Sequence, residues 1–245
     1  MKAFVLAAGL GTRLRPWTLH HPKALVPVAG VPMLERVIGR LRSEGFDDIC
    51  VNVHHFSEQI VQYLTAHDLG VAISISEESD KLLDTGGGLA AIAEWADNQP
   101  VLVHNVDILS DAPLGDIMRS HVDSMRDVTL VTDNRESSRH LIFRPNGALA
   151  GWHNVKSGEY RPSGFVPSVD DIEEAFSGIY VIGPRGFESL REYRRVTGRD
   201  AFPVMDWLLS LPEGLNIRSQ HYDRLKLIDI GKPDTLLKAE EEFSR

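Results

Sequence analysis

Residues 6–16 read LAAGLGTRLRP and begin at the end of an apolar run at residues 3–7. Small residues let backbone N–H groups approach a polyphosphate closely, and Arg13 and Arg15 add fixed positive charge beside it. The dinucleotide-binding pattern would need glycine at Leu14, and the Gly-Lys-Ser/Thr triplet of a P-loop does not occur in the chain. The stretch therefore indicates either a phosphate-binding loop of another kind or an ordinary turn from strand to helix.

The segments around this loop alternate between two kinds of pattern. Short runs that are apolar throughout lie at residues 3–7, 49–53, 71–76, 101–104 and 128–132, and amphipathic stretches lie at residues 33–44, 57–66 and 89–96. Continuous apolar runs suit strands that helices cover on both faces. The order predicts an α/β fold, an open three-layer α/β/α arrangement with a mixed, mostly parallel sheet, in which ligands bind at the carboxyl ends of the strands.

The pattern loosens after Thr132. Residues 133–171 carry two short strand patterns, at 140–143 and 149–152, and a Pro- and Gly-bearing stretch. They predict a small β-rich insertion or lid within a single domain that covers residues 1–245. Strands are expected again at residues 176–182 and 225–230, and a closing helix at residues 233–242, with proline in its first turn.

Composition narrows the possible partners. The 245 residues carry a formal net charge of −9, and their lysines and arginines are scattered, which argues against nucleic acid as a partner. Cys50 is the only cysteine, so no internal disulfide forms; a buried thiol and a cytoplasmic location are expected. The N-terminal apolar run is too short for a membrane span, and no membrane partner is expected.

A family resemblance begins at the glycine loop. Gly9-Leu10-Gly11-Thr12-Arg13-Leu14-Arg15-Pro16, followed by Pro22-Lys23-Ala24-Leu25, resembles the signature of sugar-1-phosphate nucleotidyltransferases. The resemblance implies a Rossmann-like, GT-A-type nucleotidyltransferase fold, with Arg13 and Lys23 as the catalytic cations on the NTP phosphates. Ala24 replaces the second proline of the lysine motif. The residues that it implies for nucleotide binding are Leu6, Ala7, Ala8, Gly9, Gly11, Thr12, Thr85, Gly86, Gly87 and Asn105.

The glycine triplet of Asp84-Thr85-Gly86-Gly87-Gly88 resembles a stretch that handles the base and ribose in the muramate 1-phosphate uridylyltransferase branch. Three adjacent glycines are costly to order, so we interpret them as the place where a ligand presses on the backbone. A flexible helix start is the alternative.

Two aspartates follow apolar strands. Asp107 comes after the run at residues 101–104, and Asp229 ends a late apolar run in Asp229-Ile230-Gly231-Lys232-Pro233. Mg²⁺ prefers one or two carboxylates together with substrate phosphates and water. We expect both to close strands of one parallel sheet and to share a Mg²⁺, as the resemblance also implies, although a helix cap or turn role is the usual one for either aspartate alone. Lys232 stands where the family usually has threonine.

The acceptor side is expected in the second half of the chain. Trp152 could stack on a sugar ring and Asn154 could bind hydroxyl groups, and Gly178 lies in a Phe-x-Gly-Ile segment that resembles the family's. A place for Trp152 in a local core is an equal alternative. The acceptor-phosphate lysine of the family has no clear counterpart, and Lys156 is the nearest candidate.

These expectations describe an enzyme that transfers a nucleoside monophosphate from an NTP to a sugar 1-phosphate and releases pyrophosphate. UTP with N-acetylmuramate 1-phosphate or a related hexose 1-phosphate is favoured. GTP with mannose or heptose 1-phosphate, and CTP with phosphocholine, are the alternatives within this chemistry. A catalytically silent regulatory or binding subunit is the alternative from another class. The chain is expected to be a monomer or a homodimer.

Overall fold

In the computed structural model, which describes residues 1–78 and 80–243, strands and helices alternate through the first half of the chain. The strands are β1 (Lys2–Leu6), β2 (Pro27–Val28), β3 (Val31–Pro32), β4 (Asp48–Val53), β5 (Ala72–Glu77), β6 (Val101–Asn105), β7 (Ile108–Ser110), β8 (Val128–Asp133), β9 (Arg139–Phe143), β10 (Leu149–Asn154), β11 (Glu159–Arg161), β12 (Ile172–Ile182), β13 (Ile217–Tyr222) and β14 (Leu227–Asp229). The helices are α1 (Met33–Ser43), α2 (Ser57–Ala66), α3 (Asp84–Ala91), α4 (Ala93–Ala96), α5 (Leu114–Asp123), α6 (Pro184–Thr197), α7 (Val204–Leu208) and α8 (Pro233–Phe243).

The main sheet has a parallel part and an antiparallel part. Strands run in the order β11-β10-β9-β12-β6-β1-β4-β5, and β8 and β13 join through β12. The pairs β6–β1, β1–β4 and β4–β5 are parallel, whereas β12 pairs antiparallel with β6, β8 and β9. The predicted mixed α/β sheet is confirmed, with additional antiparallel strands at one side.

Successive side chains of the parallel strands enter different cores, which is why those strands are apolar throughout. Ala3 and Val5 pack with residues of α1, α2 and α5, whereas Phe4 points to the other face and packs with residues of α3, α6 and α7. Helices therefore cover both faces, as expected. Cys50 is buried in the second core, where burial raises the pKa of its thiol to about 12.

Residues 133–171 contribute β9, β10 and β11, and β10 pairs antiparallel with β9 on one side and with β11 on the other. Since β9 also pairs with β12, the three strands extend the main sheet. None of the helices in the described ranges is long and apolar enough to cross a membrane.

The late strand differs from the prediction. A strand was expected at residues 225–230 in the parallel sheet, but β14 pairs antiparallel with β7 in a separate two-stranded ribbon. Ile228 and Ile230 of this region pack with Val28, Met33 and Leu109 in a third, smaller core. The expectation that Asp229 closes a strand of the main sheet is therefore wrong.

Candidate active site

A pocket, here called pocket A, opens at the carboxyl ends of β1, β4 and β6. Its volume is about 190 Å³. Its lining residues are Leu6, Ala7, Ala8, Gly9, Lys23, Asn52, Leu82, Asp84, Thr85, Asn105, Val106 and Asp107. The three strands end side by side in a parallel sheet, so the residues that follow them meet at one edge. Pocket A thus brings together most of the residues predicted for the nucleotide and one of the two predicted metal ligands.

A buried network of hydrogen bonds holds the start of the glycine loop. The Ala7 N–H donates to Asn52 Oδ1 at 2.6 Å, and the Asn52 amide donates to Glu78 Oε1 at 2.7 Å. Glu78 Oε2 in turn accepts the Leu83 N–H at 2.8 Å. The network ties the start of the loop to the end of β4 and the start of α3. Sequence reasoning missed Asn52 and Glu78, although an asparagine within the apolar run of β4 is a usable signal, because buried polar side chains need partners.

Gly11 brings the loop against the lysine segment. Its φ is +61°, and a Cβ there would lie 2.8 Å from the Cβ of Lys23. The Thr18 hydroxyl donates to the Gly11 carbonyl at 2.9 Å and holds the loop in this position. A side chain at Gly11 would push Lys23 away, so the glycine keeps the lysine at pocket A. The Lys23 ammonium forms a close ion pair with the Asp107 carboxylate.

Asp107 and Asp229 come together through the ribbon and not through the main sheet. Asp229 lies opposite Ile108, and the Ile230 N–H donates to the Asp107 carbonyl at 2.8 Å. Partial burial raises the pKa of Asp229, the negative charge of Asp107 raises it further, and the charges of Lys23 and Arg13 act against this rise. Asp107 therefore acts electrostatically on Asp229, and the β14–β7 ribbon, not the parallel sheet, brings the two residues near each other.

This pair of carboxylates fits a hard divalent cation that substrate and water help to ligate. Among residues 1–78 and 80–243, no group of three or more His, Cys, Asp or Glu side chains could hold a metal ion. Mg²⁺ is commonly held by one or two carboxylates while phosphates and water complete its shell. The chemistry of the two oxygen donors thus suits an ion that arrives with a polyphosphate.

Arg13 lies with its side chain beside Gly231 and Asp229. It belongs to a 3₁₀ turn, Thr12–Leu14, and its side chain is exposed. A Cβ on Gly231 would lie 2.5 Å from an Arg13 guanidinium nitrogen and 2.7 Å from Asp229 Oδ1. Gly231 therefore leaves the space in which the guanidinium and the carboxylate approach each other.

Close packing against neighbouring protein atoms gives a reason for the three adjacent glycines. Gly86, Gly87 and Gly88 are buried in α3, and a Cβ on them would lie 2.5 Å from the Phe202 ring, 2.2 Å from the Asp200 carbonyl and 2.8 Å from Glu78 Oε1, respectively. The N–H groups of Gly86 and Gly87 donate to the Phe202 carbonyl at 2.8 and 3.3 Å. Protein atoms fill the space beside all three glycines, which gives them a packing reason that needs no ligand; of residues 84–88, Asp84 and Thr85 line pocket A.

A second and larger cavity, pocket B, has a volume of about 620 Å³. Its lining residues are Ser137, Arg139, His140, Leu141, Trp152, Glu159, Arg161, Phe176, Pro203, Met205 and Asp229. Asp229 lines pocket B and lies opposite Ile108, the residue after Asp107 of pocket A, so the ribbon places one aspartate of each pocket near the other.

The three residues predicted for the acceptor have different places. Trp152 lines pocket B and also packs against the second core. Asn154 is not part of that lining, and its Oδ1 accepts the N–H of Lys156 at 3.1 Å in the turn after β10. Gly178, with φ +80°, lies at an irregularity of β12, where a Cβ would be 2.8 Å from the Asn105 amide nitrogen. The absence of a side chain at Gly178 therefore leaves room for the Asn105 side chain. The sequence analysis did not identify Arg139 and Arg161, which line pocket B.

Comparisons with known proteins agree with this arrangement. The family described as nucleotidyl transferase matches residues 2–244. Mannose-1-phosphate guanylyltransferase of Mycobacterium tuberculosis is 35% identical over 247 residues, which are 99% of this chain and 64% of that protein. N-acetylmuramate alpha-1-phosphate uridylyltransferase of Caulobacter vibrioides is 42% identical over 108 residues, 43% of this chain and 45% of that protein. The chain thus spans about half to two thirds of the length of these curated relatives.

A solved structure shows the same fold. HddC from Yersinia pseudotuberculosis, complexed with GMP-PN, superposes with a TM-score of 0.77 at 20% identity and covers 99% of both chains. The sequence relatives act on nucleoside triphosphates and sugar phosphates, and enzymes of this kind generally use a divalent metal. Since the family match covers nearly the whole sequence, the chain belongs to the nucleotidyl transferase family.

Proposed function

We propose that this protein transfers a nucleoside monophosphate from an NTP to the phosphate of a sugar 1-phosphate and releases pyrophosphate. The observation that carries the proposal is that Asp107 of pocket A, paired with the Lys23 ammonium, directly precedes the strand that pairs with the strand of Asp229, which lines pocket B. A donor in pocket A and an acceptor in pocket B would place their phosphates between these charges. Such transfers depend on positioning and charge neutralisation, and no side-chain nucleophile is needed.

The residues of the site have distinct proposed roles. The backbone from Leu6 to Gly11, with Thr12, Thr85 and Asn105, would hold the nucleotide, and Arg13 and Lys23 would stabilise charge on its phosphates. Gly86 and Gly87 would act only indirectly, by allowing α3 to pack. Asp107 and Asp229 would hold Mg²⁺, which supplies positive charge to the reacting phosphates when bound. Lys23, paired with Asp107 in this structure, would then turn to the α-phosphate.

Pocket B supports a sugar acceptor better than phosphocholine. A quaternary ammonium group is recognised by an aromatic cage. Trp152 and Phe176 stand in pocket B among charged side chains of both signs, Arg139, Arg161, Glu159 and Asp229, a lining that suits the hydroxyl and phosphate groups of a sugar phosphate better than an aromatic cage would. Residues 133–171 supply much of this wall, and we propose that they form the acceptor side of one domain that covers residues 1–245. A silent regulatory role is disfavoured because Arg13, Lys23, Asp107 and Asp229 would have no common use in it.

For the base, UTP with N-acetylmuramate 1-phosphate or a related hexose 1-phosphate remains our first proposal. The similarity to the uridylyltransferase of Caulobacter vibrioides supports it, at 42% identity. GTP with mannose or heptose 1-phosphate is the second candidate, supported by the similarity to the Mycobacterium tuberculosis guanylyltransferase along 99% of this chain. A monomer or homodimer in the cytoplasm is proposed from the sequence.

A pyrophosphate-release assay tests the proposal. Each of the four NTPs would be combined with N-acetylmuramate, mannose, glucose and heptose 1-phosphates and with phosphocholine, in the presence of Mg²⁺. Release that needs one NTP and one sugar 1-phosphate together is the expected result. If no pair gives release above the rate of the Lys23→Ala variant, the proposed function is wrong.

A further inference from the structure

One piece of chain packs against an element that lines pocket A and itself lines pocket B. Residues 199–206, here called the strap, run along the start of α3 at pocket A and continue into the wall of pocket B. The Phe202 N–H donates to the Leu83 carbonyl at 3.0 Å, and the Phe202 carbonyl accepts the N–H groups of Gly86 and Gly87. The missing side chains of these glycines are what allow the strap to lie so close.

The hydroxyl group of Thr85 connects the lining of pocket A to the strap. It lines pocket A, and its Oγ1 accepts the Val204 N–H at 2.8 Å. Pro203 and Met205, the residues on either side of Val204, line pocket B. A shift of Thr85 therefore moves the backbone of the strap, which carries the Pro203 and Met205 side chains of pocket B.

The same strap holds a cation of pocket B. Asp206, one residue beyond Met205, accepts a hydrogen bond from Arg161 at 2.8 Å and another from Arg199 at 3.0 Å. Arg161 lines pocket B and lies with its guanidinium 6.0 Å from the centre of the Trp152 ring. A change in the position of Val204 would therefore also displace Asp206, the guanidinium group of Arg161 and its contact with the Trp152 ring in pocket B.

We propose that Thr85 is a positioning residue for the acceptor and that it couples the two pockets. The proposal rests on the proposed function, in which pocket A takes the NTP and pocket B the sugar 1-phosphate. A nucleotide that contacts Thr85 in pocket A would therefore also act on the strap, which carries Pro203 and Met205 of pocket B. By linkage, an acceptor in pocket B tightens nucleotide binding by the same factor.

The variants Thr85→Val and Thr85→Ser test this role. Valine keeps the shape of the wall and removes the acceptor of the Val204 N–H, whereas serine keeps that acceptor. With the NTP and sugar 1-phosphate that release most pyrophosphate, Thr85→Val should raise the KM of the sugar phosphate about five- to tenfold, the usual effect of one lost hydrogen bond. The Kd of the NTP measured without acceptor should rise less than this KM, and Thr85→Ser should restore both constants.

Hydrogen exchange gives a second readout that does not need turnover. Saturating UTP or GTP with Mg²⁺ should slow exchange at the amides of Phe202 and Val204 in the wild type and in Thr85→Ser. In Thr85→Val the slowing at Val204 should be lost, while circular dichroism shows that the variant is folded.

Two results would overturn the proposal. One is an unchanged KM for the sugar phosphate in Thr85→Val. The other is a rise confined to the Kd of the NTP, which would make the hydroxyl a direct nucleotide ligand. If the wild type releases no pyrophosphate with any pair, the proposed function fails separately. The exchange measurement then decides the coupling alone, and an absence of slowing at Val204 with both nucleotides rejects it.

Discussion

A single methyl group at Gly87 distinguishes packing from ligand binding as the reason for the glycine triplet. A Cβ there would lie 2.2 Å from the Asp200 carbonyl oxygen and 3.0 Å from the Leu83 Cβ. Carbon contacts are comfortable only beyond roughly 3.5 Å, so the gap must open by about 1 Å. The obstacle is backbone of the strap, which Phe202 holds to α3, and it cannot rotate away as a side chain would.

The size of the effect follows from two opposing contributions. Overpacking of a buried site costs about 1–3 kcal/mol, and an immovable backbone neighbour places Gly87→Ala at the upper end of that range. Alanine recovers about 1 kcal/mol, because it is the better helix former. The free energy of unfolding should therefore fall by about 2 kcal/mol.

Gly39 in α1 provides a matched control, because a Cβ there meets nothing within 4 Å. Gly39→Ala should raise the free energy of unfolding by about 0.5–1 kcal/mol. Urea titrations followed by circular dichroism measure both variants. If Gly87→Ala unfolds at the wild-type urea midpoint and has lost only its affinity for NTP, a ligand requires the glycine after all and the packing argument is refuted.

Three further predictions concern charged and reactive groups. Lys23→Ala should keep its urea midpoint and lose turnover on the order of a hundredfold or more, as removal of a preorganised cation does, whereas Lys226→Ala at an exposed position should be silent; a near-normal kcat for Lys23→Ala would exclude the assigned role. The pKa of Asp229 is raised in the folded protein, so its protonation stabilises the fold at pH values below 3.8, the ordinary pKa of an aspartate. This contribution is lost as the pH rises through the raised pKa. Without metal at pH 7, Asp229→Asn should thus be at least as stable as the wild type although it is inactive, and an unfolding series from pH 3 to 7 would contradict this if the variant lost stability relative to the wild type as the pH rose. Cys50 should react with a thiol reagent only on unfolding, since it is buried and its pKa is about 12; rapid labelling of the native protein would disprove that.

The main sheet was predictable because its signal is local. β1, β4 and β6 send side chains into cores on both faces, so each strand is a short run without polar breaks, and α1 repeats its apolar residues on one face. The boundaries of these elements lie within one or two residues of those expected. The stretch predicted as one amphipathic segment at residues 89–96 is divided between two helices, α3, which begins at Asp84, and α4. Glycine is a poor helix former, and the hydrogen bonds of Gly86 and Gly87 to the strap help to stabilise the first turn of α3.

Contacts between distant segments left no comparable signal. The sequence shows that Gly86 and Gly87 lack side chains, but it does not show that residues 200–202 fill the space. Asn52 and Glu78 are 26 positions apart, and each alone resembles an ordinary polar residue. Trp152 was found because a tryptophan near a predicted acceptor side has few surface roles, whereas Arg161 and its partner Asp206, 45 positions away, were not.

The two aspartates come near each other by a path other than the predicted one. The resemblance to known nucleotidyltransferases pointed to Asp107 and Asp229; Asp107 follows β6 of the parallel sheet as expected, whereas the parallel-sheet argument gave Asp229 the wrong structural setting. Asp229 is instead carried by a three-residue strand that pairs with β7 immediately after Asp107. This ribbon is anchored by a small core in which Ile228 and Ile230 pack with Val28 and Leu109, separate from the two large cores beside the sheet. The metal-binding carboxylate proposed here therefore stands on the least extensive packing of the three cores, and the hydrogen bond from the Ile230 N–H to the Asp107 carbonyl is what ties it to the other carboxylate.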